Sequence, residues 1–243
     1  MSNTSAMSLA LCLDAPMQSW GIRSHGITRD TMAEPTKSGV VGLVAAALGI
    51  DRNNDAALAE LARLRLAIRV DREGSMERDY HTTQNVPTTH GTGHRTVVSE
   101  RYYLADALFL AVLEGDGPLL NRVAAAVKRP HWRLSFGRKA YVPARPLLTP
   151  SQQPAATNAE EVLATHPWLE PSPQDRARMR NRPNRPALRT VVECPPTRIG
   201  AQVRHDQPLS FAHGNRRFAS RTVHMGEVAL TDDMISAGET LCF

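Results

Sequence analysis

Apolar residues in the first 145 positions alternate between short runs and helically spaced sets. A short apolar run is typical of a strand, whereas spacing at i, i+3, i+4 and i+7 is typical of a buried helix face. The pattern predicts the order strand, helix, strand, strand, helix, strand, with an extra short helix before the second strand. The predicted strands are Ser8–Leu13, Leu66–Val70, Ala107–Leu113 and Trp132–Val142, and the predicted helices are Val40–Leu48, Asp55–Leu64 and Leu119–Val127.

The first helix has readable ends. Thr36 or Ser38 is the expected N-terminal cap, because a short hydroxyl side chain accepts a hydrogen bond from the first free backbone N–H groups. Gly49 is expected to end the helix.

This element order is that of the ferredoxin-like split βαβ motif, an α+β fold with two helices on one face of an antiparallel sheet. The other face then stays available for a ligand, as in RNA-recognition modules. We therefore expect a ferredoxin-like, RNA-recognition-motif-like N-terminal domain over residues 8–145.

Three stretches lie outside this pattern. Residues 79–101 are polar and rich in threonine, and a connection of this length predicts a projecting hairpin, called the thumb below. Residues 146–190 are expected to be a Pro/Arg-rich linker or insertion, since eleven of the seventeen prolines lie in Pro143–Pro196. Its arginine run, Arg176–Arg189, is read either as a solvated loop or as an arm that contacts phosphates. Residues 191–243 are expected to form a small β-rich C-terminal domain.

Composition narrows the function only slightly. Lysine and arginine outnumber aspartate and glutamate by 29 to 24, a net charge of +5, which favours polyanionic partners. The longest uncharged apolar stretch, Gly39–Ile50, is shorter than the ~20 residues of a membrane-spanning helix, and the N-terminus lacks secretory features. We expect a cytoplasmic protein with no membrane contact. Three widely spaced cysteines and the absence of metal-binding or hydrolase motifs predict no cofactor and no metal.

Four segments carry side chains suited to RNA. Gln18 and Trp20, after the first strand, offer an amide for a base edge and a ring for stacking, with core filling by Trp20 as the alternative. Lys37 and Ser38 lie at a helix start that binds phosphate or is simply capped.

The other two segments lie further along the chain. His81, next to Tyr80, is suited to stacking or to proton exchange, with a hydrogen-bonded turn as the alternative. Arg138 and Lys139 add two cations beside a glycine, a combination suited to an RNA backbone.

These segments together resemble the CasD family, the type I-E branch of the fifth Cas protein family. The specific pair is APMQSWG followed by PTKSG. The matching stretches, in the family's order, are Leu11–Gly21, Pro35–Ile50, Arg78–Thr82, Arg101–Asp106, Phe136–Lys139 and Arg217–Arg221. The stretch Pro143–Pro196 matches nothing in the family and is interpreted as a lineage-specific insertion.

The resemblance implies a non-catalytic subunit of a type I-E CRISPR Cascade complex that holds the 5′ handle of the crRNA and caps the backbone filament for antiviral DNA interference. It implies three partners besides the crRNA: the Cascade backbone subunit, the large PAM-reading subunit and, indirectly, target DNA. By similarity, the residues expected to contact the handle are Gln18, Trp20, Lys37, Ser38, His81, Arg138 and Lys139. Two alternatives stay open: a metal-independent endoribonuclease that processes precursor crRNA, using Tyr80, His81 and Lys139, and a purely structural scaffold.

Overall fold

The computed structural model describes residues 6–22, 27–89 and 91–237. These form a mixed α+β fold with two sheets. Within the described residues, no helix is both long and apolar enough to cross a membrane. The strands are β1 (Met7–Asp14), β2 (Met17–Gln18), β3 (Thr28–Arg29), β4 (Arg65–Arg72), β5 (Ser75–Pro87), β6 (His94–Ala105), β7 (Leu108–Gly115), β8 (Leu188–Glu193), β9 (Gln202–Ser210) and β10 (Arg217–Val228), and the helices are α1 (Lys37–Leu48), α2 (Asp55–Ala62), α3 (Gly117–Lys128), α4 (Ala159–Thr165), α5 (Pro173–Arg180) and α6 (Asp232–Ala237).

The larger sheet is antiparallel, with the strand order β1-β7-β4-β8-β10-β9. Its first three strands come from the N-terminal half of the chain, and its last three come from residues beyond 187. The two halves join where β4 pairs with β8, with Ile68 opposite Val191. The strands of the predicted C-terminal part therefore continue the same sheet as those of the predicted N-terminal domain.

Both faces of the β1-β7-β4 part of this sheet are covered. On one face, side chains such as Leu11 and Phe109 pack in one core with α1, α2 and α3. On the other face, Cys12 and Leu110 pack in a second cluster with Ala159 and Leu163 of α4. The expectation that this second face stays open for a ligand was wrong. The reason is physical: β1 and β7 are apolar on both sides, and strands of that kind are stable only when both faces are buried.

The predicted strand Trp132–Val142 does not form. Residues 144–155 instead run antiparallel along the free edge of β1, with hydrogen bonds from Ala144 N to Asp14 O (2.8 Å) and from Cys12 N to Leu147 O (2.9 Å), and a bridge between Ser8 and Ala155. A regular ladder cannot form there, because the prolines of this stretch lack the N–H group that a ladder needs.

The ends of α1 match the expectation. Thr36 is the N-cap, with its side chain accepting a hydrogen bond from Gly39 N (3.2 Å). Gly49 ends the helix with a φ of 72°, a left-handed conformation that glycine adopts without strain.

The arginine run Arg176–Arg189 is neither a solvated loop nor a phosphate-contacting arm over its whole length. Arg176 in α5 is buried and donates to Glu170 O. Arg189 donates to Glu34 (2.9 Å) and to Glu73 (2.8 Å). These two arginines hold parts of the protein together, while Arg178 is 82% exposed.

The smaller sheet is built around a long hairpin. β5 and β6 pair from Ser75 opposite Ala105 to Pro87 opposite His94. The other edge of β6 pairs with β2 near its end and with β3 at Glu100 and Arg101. Almost all of β5 is exposed. The hairpin thus contains the predicted thumb, residues 79–101, and its base is fixed by the loop that follows β1.

Candidate nucleic-acid interface

The loop after β1 turns inward. Gln18 is fully buried, and its Nε2 donates to Leu13 O (3.2 Å) and Ala107 O (2.8 Å). The indole N–H of Trp20, which is 1% exposed, donates to Gln18 Oε1 (3.1 Å). Every polar group of this pair is used inside the protein, so neither side chain is open to RNA. Of the two interpretations of Trp20, core filling fits its position.

The turn Phe136–Lys139 packs against this loop. Ser19 N donates to Phe136 O (3.0 Å), and the rings of Trp20 and Phe136 lie 5.7 Å apart. Gly137 has a φ of 94°, and a Cβ atom there would lie 2.1 Å from Ser19 O. Two segments that are distant in sequence therefore form one unit, and only glycine fits at their contact.

Two neighbouring cations of this turn have different environments. Arg138 donates to Tyr102 O in β6 (2.8 Å) and to the Tyr141 hydroxyl, and its guanidinium lies 5.2 Å from the Tyr141 ring centre. Lys139 is exposed, and its side chain forms no ion pair or hydrogen bond with any described residue. Arg138 thus ties the turn to the base of the hairpin, and Lys139 is free to meet a ligand.

The start of α1 is occupied by the protein's own carboxylates. Lys37 is 2% exposed, and its Nζ lies 2.8 Å from both carboxylate oxygens of Glu193. Its backbone N–H donates to Asp206 (2.7 Å), which also accepts from Arg221 (2.7 Å). Burial lowers the pKa of Lys37, an effect that Glu193 partly offsets. Asp206 therefore fills the position where phosphate was expected, and Ser38 lies half-buried beside Thr36.

His81 is exposed on β5, in the middle of the hairpin. Its cross-strand partner is Ser99, whereas Tyr80 is paired with Glu100. Because successive side chains of a strand point to opposite faces, Tyr80 and His81 cannot act together on one phosphate. The geometry does not favour an acid–base pair made of Tyr80 and His81.

The strand register adds three residues that were not among the expected RNA contacts: Arg29, Arg101 and Tyr103. Arg29 in β3 is the neighbour of Arg101 in β6, so both side chains lie on the hairpin face that also carries His81 and Tyr103. The Tyr103 ring lies 5.9 Å from the Tyr141 ring, which places the Phe136–Lys139 turn beside this face. Glu77 and Asp79 share the face as cross-strand partners of Tyr103 and Arg101.

We call this surface the hairpin-base face, defined by Arg29, His81, Arg101, Tyr103 and Lys139. It joins three cations to an aromatic ring and an imidazole, groups that contact phosphates and unstacked bases, while Glu77 and Asp79 lie on the same side of the hairpin. Alternation in Arg101–Asp106 could have revealed Arg101 and Tyr103, whereas no sequence signal places Arg29 beside them.

The described residues hold no group of three or more His, Cys, Asp or Glu side chains arranged to bind a metal ion.

The comparisons with known proteins agree with one another. A family model described as CRISPR-associated protein (Cas_Cas5) matches residues 8–224. The CRISPR system Cascade subunit CasD of Escherichia coli (strain K12) is 33% identical over 172 residues, which cover 65% of this chain and 76% of that protein.

Two solved structures are also similar. One, described as the crystal structure of a Cas protein, is 35% identical with a TM-score of 0.67. The match covers 90% of this chain and 94% of the Cas protein chain. The other, from a CRISPR RNA-guided surveillance complex, is 28% identical with a TM-score of 0.72. The match covers 95% of this chain and 97% of the chain from that complex. At that coverage, most of Pro143–Pro196 has a structural counterpart. The resemblance seen in the sequence is confirmed: the chain belongs to the Cas5 family of CRISPR-associated proteins.

Proposed function

We propose that this chain is a non-catalytic subunit of a type I-E Cascade complex that binds the 5′ handle of the crRNA. The observation that carries the proposal is the similarity over almost the whole chain to a chain of a CRISPR RNA-guided surveillance complex, together with 33% identity to a Cascade subunit. An RNA-guided complex needs subunits that hold its guide, and the exposed hairpin with its basic and aromatic base is suited to that task.

The proposal includes the fold of the RNA-binding part. The strand order β1-β7-β4, with α1 and α3 on one face, matches three strands and both helices of a ferredoxin-like unit. Residues 144–155 take the place of the fourth strand beside β1. The RNA lies on the hairpin-base face, because the second face of the sheet is covered by α4.

We further propose that the hairpin reaches the Cascade backbone subunit and that the large PAM-reading subunit is the second protein partner. Almost all of β5 is exposed, so the hairpin adds little to the hydrophobic core of this chain. A long exposed hairpin of this kind supports a role in contacting another chain. Target DNA is met indirectly, through the complex.

The test is to incubate the purified chain with labelled repeat RNA in EDTA, using a scrambled RNA of equal length as the control. We expect uncut RNA and binding that weakens with salt, because phosphate contacts release counterions. Exchanging Lys139 and Arg29 for alanine should lower the salt slope by roughly 1.4, at about 0.7 per phosphate contact.

Two results would contradict the proposal. Cleavage at one site that disappears in His81→Ala would identify an endoribonuclease. Binding that is absent, or equal for both RNAs and insensitive to salt, would identify a scaffold.

A further inference from the structure

The segment Lys128–Lys139, which joins α3 to the turn against the β1 loop, contains five cations and no carboxylate. Two of the cations are bound within the protein, since Lys128 donates to Pro150 O (2.8 Å) and Arg138 to Tyr102 O (2.8 Å). The other three are Arg129, Arg133 and Lys139. They are exposed, and no described residue forms an ion pair or side-chain hydrogen bond with them.

Trp132 lies in the middle of this segment and is 45% exposed. The other two tryptophans, Trp20 and Trp168, are 1% and 5% exposed. Of the three tryptophans, Trp132 is therefore the one whose ring can contact a partner outside the chain, and it lies among unpaired cations.

The position of Trp132 is fixed by the end of α1. The backbone N–H groups of His131 and Trp132 donate to Ala47 O (2.9 Å) and Ala46 O (3.3 Å), which are among the last carbonyls of that helix. The His131 ring lies against Gly49 and meets the Trp132 ring edge-on, with ring centres 4.9 Å apart. These contacts fix the backbone at Trp132 and restrict its ring, which lowers the entropy cost of an interaction.

The dipole of α3 explains only one of the exposed groups in this segment. Arg129 is the C-cap of α3, where a cation is favoured by the carbonyl end of the helix. That effect does not require Arg133, and it gives no reason for an exposed indole.

We propose that Trp132 is a stacking site for an unpaired base of single-stranded nucleic acid, with Arg129 and Arg133 contacting the neighbouring phosphates. Aromatic rings bind any base through its π face, and flanking arginines hold the backbone. The site lies outside the residues that the family resemblance suggested. The inference rests on the proposed RNA-binding function, and the bound strand is either handle RNA or DNA.

The fluorescence of Trp132 can report directly on stacking. Because it is the exposed one of the three tryptophans, stacking should quench its fluorescence and protect it from acrylamide, while Trp20 and Trp168 stay unaffected. The probes are handle RNA and DNA of the same sequence, and filter binding measures total affinity independently. In Trp132→Phe the quenching signal should disappear although binding stays close to that of the unchanged protein, because phenylalanine also stacks.

Variants separate the two parts of the site. Trp132→Ala should weaken binding about five- to tenfold, near the lower end for loss of one stacked base. The double change Arg129→Ala and Arg133→Ala should lower the salt slope by roughly 1.4. Arg216→Ala removes an exposed arginine from the β9–β10 turn and is the matched control, with no expected effect. Melting curves check that each variant is folded.

Quenching by RNA alone assigns the site to the guide, and stronger quenching by DNA assigns it to a DNA strand. Tight RNA binding with unchanged Trp132 fluorescence overturns this inference and leaves the proposed function intact. Failure to bind any RNA overturns both. Trp132→Ala protein that binds normally but no longer assembles with other subunits identifies a protein-docking site and also overturns the inference.

Discussion

Burial distinguishes the two lysines that the sequence suggested as RNA contacts. Lys37 is 2% exposed and is held by both carboxylate oxygens of Glu193, while Lys139 is exposed at the end of a turn. A buried charge that loses its partner is costly, whereas an exposed one can be removed at little cost. The two lysines therefore provide a matched pair for separating folding from binding.

We predict that Lys37→Met lowers the free energy of unfolding by about 3 kcal/mol, because it leaves Glu193 with weaker partners. The salt slope of RNA binding should not change. Lys139→Met should do the opposite, with stability unchanged and the slope lowered by roughly 0.7. Urea unfolding and salt titrations measure both quantities. A lowered slope for folded Lys37→Met would mean that Lys37 does reach a phosphate.

His166 gives a pH dependence with a defined sign. Burial lowers its pKa below the ordinary 6.5, and nearby Arg69 adds to the effect. Below pH 6.5 the unfolded chain therefore binds more protons at this position than the folded one, so stability falls as pH falls from 6.5 to the lower folded pKa.

His166→Gln should reduce this loss of stability, because glutamine does not titrate. The measurement is the melting temperature from pH 7.5 to 5, compared with the unchanged protein. His213→Gln, at an exposed histidine of the β9–β10 turn, is the control for exchanging a histidine. An unchanged profile in His166→Gln would show that the acid sensitivity arises elsewhere.

At the scale of elements, the hairpin has an outer part and a base with different roles. The outer part, which includes the pair Val86 and Arg95, consists of β5 and β6 alone. From Glu100 onward, β6 also pairs with β3 and β2. Exposed pairs contribute little to the core, while the base connects the loop after β1 to the rest of the molecule. Shortening the outer part should therefore affect partners more than folding.

Replacing Val86–Thr96 with a short Gly-Ser linker should leave the circular dichroism spectrum and melting temperature of the isolated chain almost unchanged. Assembly with the other Cascade subunits should be impaired, because the hairpin no longer reaches its neighbour. Co-purification with guide RNA measures this. A complex of normal stoichiometry would argue against the thumb, and an unfolded variant would show that the segment stabilises the fold.

At the scale of the whole molecule, the β4–β8 pairing joins both halves of the chain in one sheet. Arg69 strengthens the connection: it is fully buried, pairs with Asp71 (2.6 Å) and donates to the carbonyls of Leu163 (2.7 Å) and His166 (2.8 Å) at the end of α4. A fragment that ends before α4 would leave this guanidinium without its carbonyl partners, a large cost for a buried charge.

We therefore predict a single cooperative unfolding transition for the whole chain. A fragment of residues 8–145 should not fold alone, since α4 and β8 are missing from its sheet. Calorimetry of the whole chain and circular dichroism of the fragment check this. Two transitions, or a folded fragment, would support the separate domains 8–145 and 191–243 predicted from sequence.

Local sequence patterns predicted several of the observed helices and strands correctly. The caps at Thr36 and Gly49, the helix α3 and the apolar strand β7 follow from hydrogen-bond geometry and periodicity within a few residues. The uninterrupted apolar run Ala107–Leu113 also contained a signal that both faces of the sheet are covered, since a half-exposed strand would alternate. The cytoplasmic location stays a prediction.

The sequence by itself determined the family, the order of the main elements from β1 to α3 and the presence of a long polar excursion, because motifs and periodicity are properties of neighbouring residues. Only the tertiary structure decided which polar residues reach solvent. Gln18, Trp20 and Lys37 have the residue types of an RNA site, yet their partners Ala107, Phe136 and Glu193 lie far away along the chain. Burial depends on such distant contacts, and no local pattern encodes them.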